Sequence, residues 1–198
     1  MNDVLTRLGI SPEIQAFFNT GSDLVFDYGD QYEQFAESYH IVPSTPNLWV
    51  AGTPNATHLI ITHSAMEAIA FISLKRTHYP RLEQLAFVAI GNRLHVEQGE
   101  WIRRNFVGRK VTLVFGKDLL GNITDIKLSA VIKNISVRII YTGSQVLVYR
   151  GSWLESFDQE KISLHAFQEA FGIRPRFRTA KPVQSLTFLD QLKYDAER

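Results

Sequence analysis

The sequence predicts an α/β domain whose centre is a mainly parallel sheet flanked by helices, with N-terminal and C-terminal extensions. Three observations predict it. Apolar runs and helical segments alternate between residues 58 and 141, the βαβ pattern. The runs are continuous rather than alternating, as strands covered on both faces must be. The first three close on Thr62, Gly91 and Gly116, where a strand passes into a turn. The 198 residues, 45% hydrophobic and 12% aromatic, suffice for a sizeable core.

Taken in order, the chain opens with a helix signal. Ser11 caps, Pro12 takes the first helical position, and Ile14, Phe17 and Phe18 form one apolar stripe before Gly21. Leu24-Val25-Phe26 and Leu48-Trp49-Val50 read as short strands, and Gly52-Thr53-Pro54-Asn55 is the best boundary signal. Next come the strand Leu59-Ile60-Ile61 and a helix from Ala65 to about Thr77, with Lys75 and Arg76 at its dipole end. The strand Phe87–Ile90, a helix over about Val96 to Phe106, and the strand Val111–Phe115 follow. A helix bearing Ile123, Ile126 and Ala130 then leads to a fourth run, Val137–Tyr141. That run contains Arg138, which places it nearer an edge of the same sheet. A strand at Val146–Tyr149, a helix from about Gln159 to Phe171 and a last helix from Phe188 to Tyr194 complete the chain. The expected organisation is an acidic segment over residues 1–56 packed on a core of residues 57–142, with a strand–helix extension over residues 143–198.

Composition excludes several functions. There is no cysteine, so disulfide scaffolds, thiolate zinc sites, iron–sulfur clusters and thiol nucleophiles are ruled out. No apolar run approaches the roughly 20 residues that span a bilayer. The stretch MNDVLTRLGI lacks the pattern of a secretory signal. A cytoplasmic chain with no membrane partner is expected. Charge is unevenly placed: residues 1–50 hold seven acids against Arg7 alone, and the remainder holds 20 bases against 13 acids. The N-terminal part is therefore expected to pack electrostatically on the rest, or the rest to meet an anion.

Right-handed crossovers put the strand ends on one rim, where open α/β sheets bind ligands. That rim carries Thr62-His63-Ser64, Gly91-Asn92-Arg93, Gly116-Lys117-Asp118 and Thr142-Gly143. Here Leu59-Ile60-Ile61-Thr62-His63-Ser64-Ala65-Met66-Glu67, the strand ending Ile90-Gly91-Asn92, and Leu113-Val114-Phe115-Gly116-Lys117-Asp118-Leu119-Leu120-Gly121 resemble the Toprim domain. It is the catalytic module of bacterial-type primases, topoisomerases and related nucleases, and the likeness is strongest to primase-like variants of mobile elements. The resemblance covers about residues 57–142. It implies three acids that hold Mg²⁺ for phosphoryl or nucleotidyl chemistry. Two of those positions are occupied here by His63 and Gly116, and Asp118, Glu67 and Gly121 keep the pattern.

Mg²⁺ takes oxygen ligands, which an imidazole and a glycine do not supply. The resemblance therefore implies a degenerate domain: no cofactor is expected, and Mg²⁺ or Mn²⁺ enters only if a residual site survives at His63, Glu67 and Asp118. The implied role is a non-catalytic accessory in replication, or in plasmid or mobile-element maintenance. It would bind DNA or RNA, or replication or mobilisation proteins. The alternative is a metal-dependent primase- or nuclease-type enzyme using the altered site. A weaker one is a serine hydrolase using Ser64, but Thr62 and Met66 fill both glycine positions of a G-x-S-x-G elbow.

The candidate nucleic-acid contacts are Arg93, Arg103, Arg104, Arg109, Lys110, Lys117, Arg174, Arg176 and Arg178. The run from Arg103 to Lys110 has no acid, although cations at a helix C-terminus also answer the dipole. Arg174-Pro175-Arg176-Phe177-Arg178 alternates charge with an aromatic ring, suiting either a phosphate backbone or a solvated loop.

Overall fold

Burial on both faces decides the central sheet. In the computed structural model, which describes residues 1–53, 55–174 and 176–198, β5 (His58–Thr62), β6 (Leu85–Ala89) and β7 (Lys110–Val114) are buried almost throughout. Pro54 of the boundary signal and Pro175 of the basic stretch lie outside the described residues. β5 lies between β6 and β7 and is parallel to both, with Ile60 opposite Phe87 on one side and Thr112 on the other. One edge is completed by β11 (Phe177–Thr179), parallel to β7. The other is β4 (Trp49–Gly52), antiparallel to β6.

The direction of travel along this sheet reverses after β6, so right-handed crossovers must use both faces. Two apolar cores result. Ile60, Phe87 and Val114 point into one, against α3 (Ala65–Lys75) and α7 (Phe188–Ala196). Leu59, Ile61, Val88 and Leu113 point into the other, shared with α4 (Val96–Asn105), α5 (Leu119–Ile132) and α6 (Leu164–Ala170).

The N-terminal part forms α1 (Asp3–Arg7), α2 (Pro12–Phe17) and a meander of β1 (Leu24–Asp27), β2 (Tyr32–Phe35) and β3 (His40–Ile41). The Ser11 hydroxyl caps α2 by accepting from the Ile14 N–H, with Pro12 first in the helix as its ring requires. This segment docks on the first core with Ile14, Phe18 and Phe26. It is also held by charge, since Glu13 takes two hydrogen bonds from Arg76 at 2.7 and 3.2 Å. It contributes β4 to the central sheet, and the 143–198 segment contributes β11.

Two expectations are corrected. The fourth run, β8 (Arg138–Tyr141), is not in the central sheet; it pairs antiparallel with β9 (Gln145–Arg150), which pairs with β10 (Trp153–Asp158). Its residues are exposed or half-buried, unlike the other runs, and the short Thr142-Gly143-Ser144 turn favours a local hairpin over a crossover. Thr142 and Gly143 therefore leave the rim. The helix expected from Gln159 starts at Leu164, because β10 runs to Asp158 and Ser163 caps the helix through the Ala166 N–H.

Among the described residues no helix is long and apolar enough to cross a membrane. Helices α4 and α5 meet at Gly99, where an added Cβ would stand 2.6 Å from Val131 Cγ1. Gly99→Ala gains about 1 kcal/mol of helix propensity against about 1–3 kcal/mol of overpacking. The expected outcome in urea unfolding is a net loss of stability, part of which Val131→Ala recovers in a double-mutant cycle.

Candidate functional site

The chain leaves β5 toward one face of the sheet and β7 toward the other. Their exit loops diverge and open a cleft at the rim, as in other open α/β sheets. It has a volume of about 460 Å³, and its polar lining includes His63, Asn92, Arg93, Asp118, Thr124 and Lys127. Its shape has local causes. Thr62 Oγ1 donates to the Ser64 carbonyl at 2.7 Å, turning the chain sharply out of β5. Gly91 adopts φ +77° beneath the Pro43 carbonyl, where a Cβ would lie 2.5 Å from that oxygen. Gly121 abuts Gly116: a Cβ would stand 2.1 Å from the Gly116 carbonyl, so glycine lets the first turn of α5 press on the exit of β7.

His63, Gly116 and Asp118 all line this cleft, so three of the positions picked out in the sequence share one place. Asp118 is exposed, and its Oδ1 caps α5 by accepting from the Gly121 N–H at 2.8 Å. His63 is half-buried; burial holds its imidazole below the ordinary value, against the opposing charge of Glu33. Glu67 does not join them. It is fully buried, and its two oxygens accept from the Phe188 N–H at 2.7 Å and the Leu189 N–H at 3.0 Å, at the start of α7. Ser64 is buried too, its hydroxyl capping α3 through the Glu67 N–H at 3.0 Å. Its backbone is extended, with φ −141° and ψ 157°, not the strained turn a nucleophile elbow needs.

These donors do not fit the Mg²⁺ that the Toprim resemblance implies. Both Glu67 oxygens are committed to N–H groups, Asp118 stands on its own turn, and the remaining positions supply an imidazole and no side chain. Among the described residues no group of three or more His, Asp or Glu is placed to hold a metal.

Five residues important to the rim had no motif to announce them. The buried Glu33 carboxylate accepts from the Ala65 N–H at 2.6 Å and the Met66 N–H at 3.0 Å, the free donors at the start of α3. Tyr28 Oη donates to it at 3.0 Å, and His40 Nε2 lies 2.9 Å away. Burial, reinforced by the Glu33 charge, pushes the Tyr28 phenol well above its ordinary value. On the other side of the rim, Lys181 Nζ donates to Asp125 Oδ2 at 2.6 Å, to the Gly116 carbonyl at 2.9 Å and to the Phe115 carbonyl at 3.3 Å. The only forewarning was the acidic bias of residues 1–50.

The nine candidate cations divide among several places. Arg93 is at the rim cleft, and Lys117 sits on the same exit loop, its ammonium on the Val183 carbonyl at 3.2 Å. Arg104 turns back to the Glu100 carbonyl, and Arg178 lies beside His58, whose pKa is lowered by burial and by the Lys110 and Arg178 charges. Arg103, Arg109, Lys110, Arg174 and Arg176 converge on one groove at the opposite end of the sheet, where β7 begins. Lys133, unmarked in the sequence, joins them. The groove has a volume of about 720 Å³, includes Phe106 and Phe177 in its walls, and has no acid among its described lining residues.

Comparison of the chain with protein-family models, with curated proteins and with solved structures finds no match.

The rim carboxylates set a pH dependence. Burial pushes Glu67 from 4.5 up to about 7 and Asp125 from 3.8 up to about 6. Between the unfolded and folded values the folded chain binds more protons, so stability is fully present below that window and falls as pH rises through it. Glu67 accounts for at most about 3 kcal/mol of the change. Urea midpoints measured from about pH 4.5 to 8 are expected to decline up to about pH 7, and Glu67→Gln is expected to abolish the decline between about pH 6 and 7 while leaving the Asp125 part below it.

Proposed function

We propose that this chain is a nucleic-acid-binding accessory of DNA transactions: a Toprim-like α/β domain that acts by binding rather than by metal-assisted phosphoryl or nucleotidyl transfer. One observation carries the reading. Two basic segments far apart in sequence, one between Arg103 and Lys110 and one supplying Arg174 and Arg176, meet in a single groove with no acid among its described lining residues.

Helix dipoles do not account for that charge. The C-termini of α4 and α5 lie at the groove, and each is equivalent to roughly half a negative charge, about one in total. Arg103, Lys110, Lys133, Arg174 and Arg176 outnumber that without Arg109, and their excess positive charge is the electrostatic footprint a polyphosphate backbone needs. Lys133 bears the cost: its pKa is lowered first by burial and then by Arg176. A phosphate placed between these cations would relieve that repulsion.

The resemblance supplies the setting, replication or the maintenance of plasmids and mobile elements, with replication or mobilisation proteins as further partners. The non-catalytic half of the reading is supported by the rim, where Glu67 is committed to α7 and Lys181 covers the carbonyls leaving β7.

Fluorescence anisotropy with a labelled oligonucleotide tests the proposal. Binding is expected at low salt and is expected to weaken as salt rises. Arg103→Ala and Arg176→Ala, one from each segment, should each lower affinity and reduce the log–log salt slope by about 0.7–0.9 for every phosphate that the variant ceases to neutralise. Affinity unmoved by the pair, or no binding at low salt, refutes it.

A further inference from the structure

Resting on the nucleic-acid reading, we infer that the groove between the C-terminal ends of α4 and α5 takes a single strand, with phosphates on its cationic lip and bases against its apolar floor. The first argument is size. A recess of about 720 Å³ is of the size that holds a small molecule and is too small to take in a duplex, whose major groove alone is about 12 Å wide. A duplex can lie only across its mouth, whereas an unpaired nucleotide can enter.

The second argument is the chemistry of the lining. Its cations share the groove with Ile102, Val111, Ile132 and Ile135, and with the half-buried rings of Phe106 and Phe177. A duplex turns its sugar–phosphate surface and polar base edges outward and has no use for such a floor. Unpaired bases have exposed π-faces, and stacking on aromatic side chains beside a positively charged track is how single strands are held without regard to sequence. Phe177 already carries a cation on its face, with Lys133 Nζ 5.5 Å from the ring centroid. Val107, 74% exposed at the lip, extends the apolar surface outward.

Both DNA and RNA single strands offer this chemistry, and the assay separates them. The probes are labelled oligo-dT, oligo-rU and a DNA duplex of equal length, with poly-glutamate as competitor, all at one salt concentration. A single strand is expected to bind at least about ten-fold more tightly than the duplex, and the better of the two strand arms identifies the sugar. Phe106→Leu with Phe177→Leu is expected to weaken single-strand binding by about ten-fold or more and to leave duplex binding unchanged, while Phe106→Tyr retains affinity. Independently of whether the Leu variants fold, ultraviolet crosslinking of a bromouridine strand to the wild-type chain should map to residues lining the groove. Equal binding of duplex and single strand, with the Leu changes silent and the Arg103 and Arg176 changes still weakening, overturns this inference and leaves the nucleic-acid reading standing. No nucleic-acid binding at low salt, or displacement by poly-glutamate as effective as by oligonucleotide, overturns both.

Discussion

The first turn of α3 is where both ends of the chain are fastened, and the fastening is a pair of buried carboxylates. Glu33 comes from the N-terminal meander to the N–H groups of Ala65 and Met66. Glu67 leaves the same turn for the N–H groups of Phe188 and Leu189. A helix start offers unpaired donors and partial positive charge, and a buried carboxylate requires both. Removing one partner of such a buried charge costs about 3–5 kcal/mol, a large fraction of the about 5–15 kcal/mol by which an ordinary domain is stable. The apolar cores supply the bulk of the driving force, but these two contacts determine where the N-terminal segment and α7 must sit.

That arrangement also decides the chemistry available to the rim. A carboxylate that binds a divalent cation needs free lone pairs facing the solvent side of the cleft. Glu67 is fully buried outside the cleft lining, on the Phe188 and Leu189 N–H groups, and Asp125 is matched with Lys181. The rim has been built into the structure as a joint. Positive charge gathers instead at the other end of the sheet, in the groove lined by Arg103, Lys110, Lys133 and Arg176. The joint and the basic groove are thereby separated by the length of the strands.

The legible part of the fold was the part decided by short-range rules. The strands β5, β6 and β7 announce themselves because burial on both faces leaves unbroken apolar runs, α2 because Ser11 caps it, α3 because Lys75 and Arg76 mark its dipole end, and α5 because Ile123, Ile126 and Ala130 recur at helical spacing. The misplacement of β8 had a different origin: an apolar run does not say which sheet will receive it, and β8 differs from β7 in being exposed or half-buried throughout. β11 was missed because three residues, two of them polar, show no period, although Phe177 pairs in register with Val111. At the site, His63, Gly116 and Asp118 were found because a strand end is a local feature. Glu67 looked like a ligand because its partners are far away in sequence and nothing near it names them. The groove was legible only as two separate halves.

The fastening at Glu67 has a consequence for the order of events on the ribosome. The groups that satisfy Glu67 and Asp125, namely the Phe188 and Leu189 amides and the Lys181 ammonium, are translated long after the strands that bury those acids. A nascent chain that has emerged only through α6 therefore holds two acids in an apolar setting without their counterparts. It keeps them protonated or leaves the neighbouring faces of α3 and α5 open to water. Completion of the rim is thus a late event in biogenesis, and a ribosome stalled before residue 181 displays a sheet whose strand ends are still unsealed.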